Sequence, residues 1–142
     1  MKIKKINAIL VSTFIIVFMI CGTCFAYSSS FSGRWNQGDT IDGSSSNNSK
    51  YYSLDAKKTT IKGRANVTHT YQTTEVSERL YIEVRRKLFF GSVREHYYTS
   101  DKYKSYINFS TKFTPSKKGT HYLILRKAQR NIPGTISGTI IQ

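Results

Sequence analysis

Apolar and polar residues alternate along most of the chain beyond residue 50. Over 59–70, Ile61, Ala65 and Val67 fall on one side with Gly63 among them, and Thr60, Lys62, Arg64, Asn66 and Thr68 fall on the other. A period of two is the mark of a strand with one buried face. Residues 79–90 repeat it. Leu80, Ile82, Val84, Leu88 and Phe90 form the inward set, with Arg86 a misfit among them; Tyr81, Glu83, Arg85 and Lys87 form the outward set. Gly91-Ser92 then reads as a hairpin turn into a strand over 93–99. Residues 50–54, 105–113, 121–127 and 135–141 give further short strands, separated by turn signals at 115–119 and at Pro133-Gly134. Residues 73–79, with Glu75 and Glu78, have room for one helical turn at most. About seven strands with no capped helical stripe predict an all-β fold, an antiparallel β-sandwich of jelly-roll-like form, over 50–142.

The pattern is different before residue 50. Met1 to Lys5 holds three lysines, an apolar run covers 6–20, and Cys24-Phe25-Ala26 supplies small residues at −3 and −1 of a cut after Ala26. This predicts a secretory signal peptide over 1–26, similar in style to Gram-positive export signals. An uncleaved anchor is the alternative, because the apolar stretch is close to the ~20 residues that span a bilayer. Residues 27–49 are rich in Ser, Asn and Gly, which favours turns and coil. Phe31 and Trp35 interrupt this segment and give part of it a means to dock as an edge strand or tether.

Several segments together resemble the secreted bacterial β-sandwich domains of the pre-peptidase C-terminal type. They are the strand over 59–70, Leu80-Tyr81-Ile82-Glu83-Val84, Gly119-Thr120-His121-Tyr122-Leu123-Ile124-Leu125 and the closing strand 134–141. The resemblance covers about two-thirds of the exported part. It implies an accessory module that binds surfaces or polymers. The acidic residues of the calcium-binding members of that group have no clear counterpart here, so the resemblance brings no metal with it.

Composition narrows the chemistry further. Both cysteines, Cys21 and Cys24, lie within the signal, which excludes disulfides, zinc–thiolate sites and cysteine nucleophiles from the exported chain. His69, His96 and His121 fall on three different strands and read as packing or surface residues. Gly134-Thr135-Ile136-Ser137-Gly138 has the wrong spacing for a nucleophile elbow and reads as a turn and strand. Glu83 and Glu95 lie among Arg85, Arg86 and Arg94 and read as cross-strand ion pairs rather than a glycosidase pair. Asp39-Thr40-Ile41-Asp42-Gly43 lacks the ligand series of a calcium loop and reads as a turn. No enzyme, cofactor or metal is expected.

Charge changes the picture most. The chain carries 22 Lys and Arg against 8 Asp and Glu. Lys2, Lys4 and Lys5 leave with the signal, so 19 basic residues against 8 acidic ones give the exported part +11. All ten tyrosines remain in it. Lys62 and Arg64 share a strand face about 7 Å apart, as do Arg85 and Lys87. If the two strands are neighbours, the four cations form a patch roughly 10 Å by 10 Å, with Tyr81 as a stacking surface for a sugar. Such a domain would hold anionic cell-envelope or extracellular polymers, outside the cell or on its wall, by summed electrostatics. A secreted antimicrobial or toxin-like protein acting on an anionic membrane surface is the alternative, as is an inhibitor of a secreted enzyme. The signal disfavours intracellular nucleic acid as a partner.

Overall fold

A computed structural model describes residues 26–36, 38–46, 49–68, 77–129 and 132–142. Residues 1–25 of the signal expected over 1–26, His69 and most of the expected single turn over 73–79 lie outside them. Nine strands are described: β1 (Ser28–Trp35), β2 (Thr40–Asp42), β3 (Tyr51–Leu54), β4 (Thr59–Val67), β5 (Leu80–Lys87), β6 (Ser92–Thr99), β7 (Tyr106–Phe113), β8 (Gly119–Lys127) and β9 (Gly134–Ile141). No described residue is helical. The strands form two antiparallel sheets, β1-β9-β4-β7 and β2-β8-β5-β6, and β3 also pairs with β8. β2 and β3 lie in tandem along one edge of β8, on residues 124–126 and 119–122 respectively. Counted as one interrupted strand they leave eight strands in two layers, ordered as in a jelly roll. The sandwich expected from the period of two is therefore present.

The extra strands come from the Ser/Asn/Gly-rich segment. β1 pairs with β9 along its whole length, from Ser28↔Ile141 to Trp35↔Gly134. Its alternation places Phe31 and Trp35 in the core, and Ile41 of β2 joins them. Ser28, Ser30, Ser32 and Arg34 supply the outward positions, so the strand shows little of the aliphatic character that marks the others. The break between β2 and β3 has a local cause. Gly43 N–H donates to the Leu123 carbonyl (2.8 Å) and Lys50 N–H to the Gly43 carbonyl (2.9 Å), closing the loop between them.

The core lies between the sheets. Leu54, Ile61, Ala65, Leu80, Ile82, Val84 and Ile140 are wholly buried. Two glycines make room for large rings. Gly63 and Gly138 are partners on β4 and β9, with Phe109 and Phe31 on the flanking strands. A Cβ on Gly63 would strike the Ser137 carbonyl and the Phe109 ring; one on Gly138 would strike the Lys62 carbonyl and the Phe31 ring. The two rings close over the glycines with centroids 6.4 Å apart, an arrangement that replaces the missing glycine side chains with aromatic cover.

The expected inward set of 79–90 needs correction. Leu80, Ile82 and Val84 are buried, but Leu88 and Phe90 are exposed. The reason lies in Arg86. Its Nε donates to Glu95 Oε1 at 2.7 Å, and Glu95 in turn accepts from Ser116 N–H and Oγ–H, each at 2.8 Å. The register between β5 and β6 shifts after Val84, so Glu95 is the extra residue of a bulge and can turn toward Arg86. This cluster caps the sandwich, and β5 leaves it at Lys87. Leu88 N–H then donates to the Gly91 carbonyl (3.1 Å), and Gly91 takes φ 76°, where a side chain would be strained.

Candidate functional site

The outward residues of β4 and β5 lie in different sheets. Lys62 and Arg64 project from the four-stranded sheet, and Arg85 and Lys87 from the five-stranded sheet. The single four-cation patch is therefore not formed. Sequential strands usually neighbour each other, but a jelly roll sends the chain from one sheet to the other between β4 and β5. Tyr81 stays with Arg85 and Lys87.

The face that carries those three is built by register. Across it, Tyr81 aligns with Arg126 of β8 and Thr99 of β6, and Glu83 with Ile124 and Tyr97. Arg85 aligns with Tyr122 and Arg94, and Tyr122 continues to Tyr51 of β3. Four tyrosines, three arginines and Lys87 thus share one sheet face. The bulge at Glu95 restores the alternation that brings Tyr97 beside Tyr81. Their rings stack with centroids 6.3 Å apart at 23°. Tyr51 and Tyr122 meet edge to face at 6.1 Å. Arg94 lies over the Tyr97 ring at 5.5 Å, and the Lys87 ammonium over Tyr51 at 5.0 Å.

Long side chains on this face cover one another. Glu83 is only 6% exposed and Tyr122 only 7%, although both point away from the core. Glu83 binds Arg85 at 3.1 Å and Arg126 at 3.7 Å, which fixes both guanidinium groups. Arg85 Nε also donates to Ser92 Oγ (3.0 Å), and the Tyr122 hydroxyl donates to the same oxygen (2.9 Å). Glu83 and Asp42 are the carboxylates among the described residues of the face, and Asp42 is engaged by Ser44 N–H and Oγ–H, each at 2.8 Å. The arrangement offers aromatic planes for sugar rings and oriented guanidinium groups for phosphate or carboxylate oxygens.

The opposite outer face is short-chained. Ser30, Thr139, Lys62 and Ser110 form one row, and Ser32, Ser137, Arg64 and Asn108 the next. A shallow, open depression runs along these two rows. Arg64 lies 4.1 Å over the Tyr106 ring and donates from Nε to Asn66 Oδ1 at 2.9 Å.

The remaining chemical candidates resolve into structure. Residues 134–138 run in register along β9, with Ser137 on the outer face. Glu83 and Glu95 are ion-paired, to Arg85 and Arg126 and to Arg86 respectively. His96 stacks on Phe113 and hydrogen-bonds Thr111 at 2.7 Å. His121 Nδ1 donates to the Gly119 carbonyl at 2.9 Å, which leaves its buried Nε2 without a partner. Burial holds both imidazoles below their ordinary value. Among the described residues no three His, Cys, Asp or Glu side chains gather where a metal could bind.

No protein-family model matches the chain, and no curated protein matches it in sequence. Solved structures do. The xylan-binding CBM22-1 domain of Paenibacillus barcinonensis Xyn10C is 8% identical, with 84% of this chain and 81% of that one aligned at a TM-score of 0.43. A chain of the naturally empty cowpea mosaic virus particle is 18% identical, with 60% and 53% aligned at a TM-score of 0.37. The alignment thus spans about half the length of the viral chain.

Proposed function

We propose that the protein is an exported, non-catalytic binding protein whose Tyr- and Arg-rich sheet face holds anionic polymers of the cell envelope or the extracellular space. The observation that carries this reading is the fixed set of guanidinium groups. Glu83 orients Arg85 and Arg126 beside the stacked Tyr81 and Tyr97 rings, on an exported chain of net charge +11 once Lys2, Lys4 and Lys5 have left with the signal. Exposed ion pairs contribute roughly 0.5–1 kcal/mol each, so affinity comes from their number and falls with salt. A sugar-bearing polyphosphate or polyuronate suits both features. Kinship with the pre-peptidase C-terminal domains, carried by β4, β5, β8 and β9, belongs to the same proposal, as does secretion after cleavage near Ala26.

Retention on purified Gram-positive walls across a salt gradient tests the site. Arg85→Gln/Arg94→Gln/Arg126→Gln is expected to elute at clearly lower salt than the parent. Unchanged elution with the fold intact contradicts the assignment. Mass spectrometry of culture supernatant tests export, with a mature chain starting at Tyr27 expected and a product retaining residues 1–26 contradicting it.

A further inference from the structure

A second feature lies off this face, at one end of the sandwich, and stands independently of the polymer reading. The β5–β6 hairpin ends in Leu88-Phe89-Phe90-Gly91. Phe89 is 94% exposed and Phe90 84%, with the two rings packed edge to face at 4.6 Å. Leu88 and Val93 beside them are exposed as well. No other described residue leaves so large an apolar side chain so open. A chain that buries Phe31, Phe109 and Phe113 in its core has not exhausted its packing sites by accident here; the Arg86–Glu95 cap excludes the hairpin from the core.

Two further turns meet at the same end. Ser116 of the 114–118 turn is bound to Glu95 of β6, and Lys118 pairs with Asp55 of the 55–58 turn at 3.1 Å. These turns bring exposed Lys57, Lys58, Lys117 and Lys118 to the end that already carries Lys87 and Arg94. Asp55 and Glu95 are both ion-paired there. Gln142 N–H donates to the Tyr27 carbonyl, and Gln142 Nε2 to Thr59 Oγ1, so Tyr27 reaches this end too, 36% exposed. An apolar tip of two aromatic rings at an end of the sandwich that also carries these cations matches one environment, an interface whose interior is apolar and whose surface is anionic.

We infer that the Phe89–Phe90 hairpin inserts into the interfacial region of anionic lipid bilayers, with the lysines of the two neighbouring turns against the headgroups. The two contributions are separable. Charge brings the end to the membrane and fades with salt; the rings hold it there and do not.

The chain from Tyr27 onward carries every described strand and the whole described core, and serves for the test. Flotation with vesicles of equal phosphatidylglycerol and phosphatidylcholine is compared with phosphatidylcholine alone. Binding is expected to the anionic vesicles, with a fraction that survives high salt. Phe89→Ser/Phe90→Ser should weaken it at least tenfold and abolish the salt-resistant fraction. Lys57→Gln/Lys58→Gln/Lys117→Gln/Lys118→Gln should remove the preference for anionic vesicles. In Phe90→Trp, brominated acyl chains should quench the new indole, whereas Trp35 is buried and unaffected. Parent-like binding by the Phe89→Ser/Phe90→Ser chain, or an unquenched indole, overturns the proposal. So does a lipid-free oligomer that this double substitution dissolves, which would make the tip a contact between copies. Loss of wall retention in Arg85→Gln/Arg126→Gln, which leaves Arg94 in place, with vesicle binding intact, would separate this site from the sheet face.

Discussion

The two outer faces start from the same sequence device and end as different surfaces. β4 and β5 each alternate apolar residues with cations, Lys62 and Arg64 on one and Arg85 and Lys87 on the other. On the four-stranded sheet the directly paired neighbours are Ser, Thr and Asn, too short to interlock over the cations, and Tyr106 of the next row packs against Arg64. On the five-stranded sheet the neighbours are tyrosines and arginines, long enough to interlock and bury Glu83, Tyr122 and Ile124 beneath them. A strand pattern therefore sets which residues point outward. The adjoining strands decide whether those residues become a solvated face or an organised layer.

That contrast is open to direct attack. The largest effect is expected at Glu83. Glu83→Ala leaves Arg85 and Arg126 facing each other without their shared carboxylate and should cost about 2 kcal/mol in urea unfolding. This is less than at a dry site, because both arginines reach solvent. Ser137→Ala on the other face should stay within about 0.5 kcal/mol. Equal costs would mean that the Tyr/Arg face is no more organised than its counterpart.

Binding should divide the same way. Arg85→Gln/Arg94→Gln/Arg126→Gln is expected to weaken polyphosphate binding about tenfold at low salt, near 1.4 kcal/mol for three charges. Lys62→Gln/Arg64→Gln should weaken it by no more than about threefold, through the loss of long-range attraction alone. Fluorescence titration at two salt concentrations measures both.

Acid should loosen the five-stranded sheet first. Burial holds His96 and His121 below the ordinary imidazole value of 6.5. At His121 the Gly119 bond and Glu95 oppose this, and Arg86 reinforces it. Burial pushes Glu95 upward, but the hydrogen bonds from Arg86 and Ser116 and the Arg86 charge hold it below 4.5. A folded value below the unfolded one gives stability that is complete above the unfolded value and is lost as pH falls through the folded one. Tm should fall from pH 7 to 5 through the histidines, and again below about pH 4.5 through Glu95. His121→Gln should flatten the upper part of the profile. All three groups lie on β6 and β8, so amide exchange at pH 5 should rise there before it rises on β4 and β9.

The smallest effect concerns the rings. Tyr81→Ala should weaken binding of a sugar-substituted anionic polymer about threefold, and leave an unsubstituted polyphosphate unchanged. Equal losses for both would assign Tyr81 to packing against Tyr97.

Much of this was legible in the sequence, and the gaps have physical causes. The period of two in 59–67, 80–84 and 106–113 specified strands and their buried residues, because one face of each meets the core. β1 was obscured because its outward residues are three serines and Arg34, and only Phe31 and Trp35 reveal the inward face. Arg86 stood out as a misfit, yet its partner depends on a bulge at Glu95, which no local pattern announces. The same bulge sets Tyr97 beside Tyr81; a regular hairpin would place His96 opposite Glu83 instead. Arg94 was within reach, since the Gly91 turn aligns it with Arg85. Arg126, Tyr122 and Tyr51 required strand order, which is a long-range property of the jelly roll.

Amide shifts, mapped while a sugar-bearing anionic polymer is titrated into labelled protein, show whether the Tyr/Arg face of the five-stranded sheet is the polymer site. Shifts are expected to gather at Tyr51, Tyr81, Arg85, Arg94, Tyr97 and Arg126 and to fade together as salt is raised. Shifts gathered instead on Lys62, Arg64 and the Ser/Thr rows of β1 and β9 would contradict that assignment.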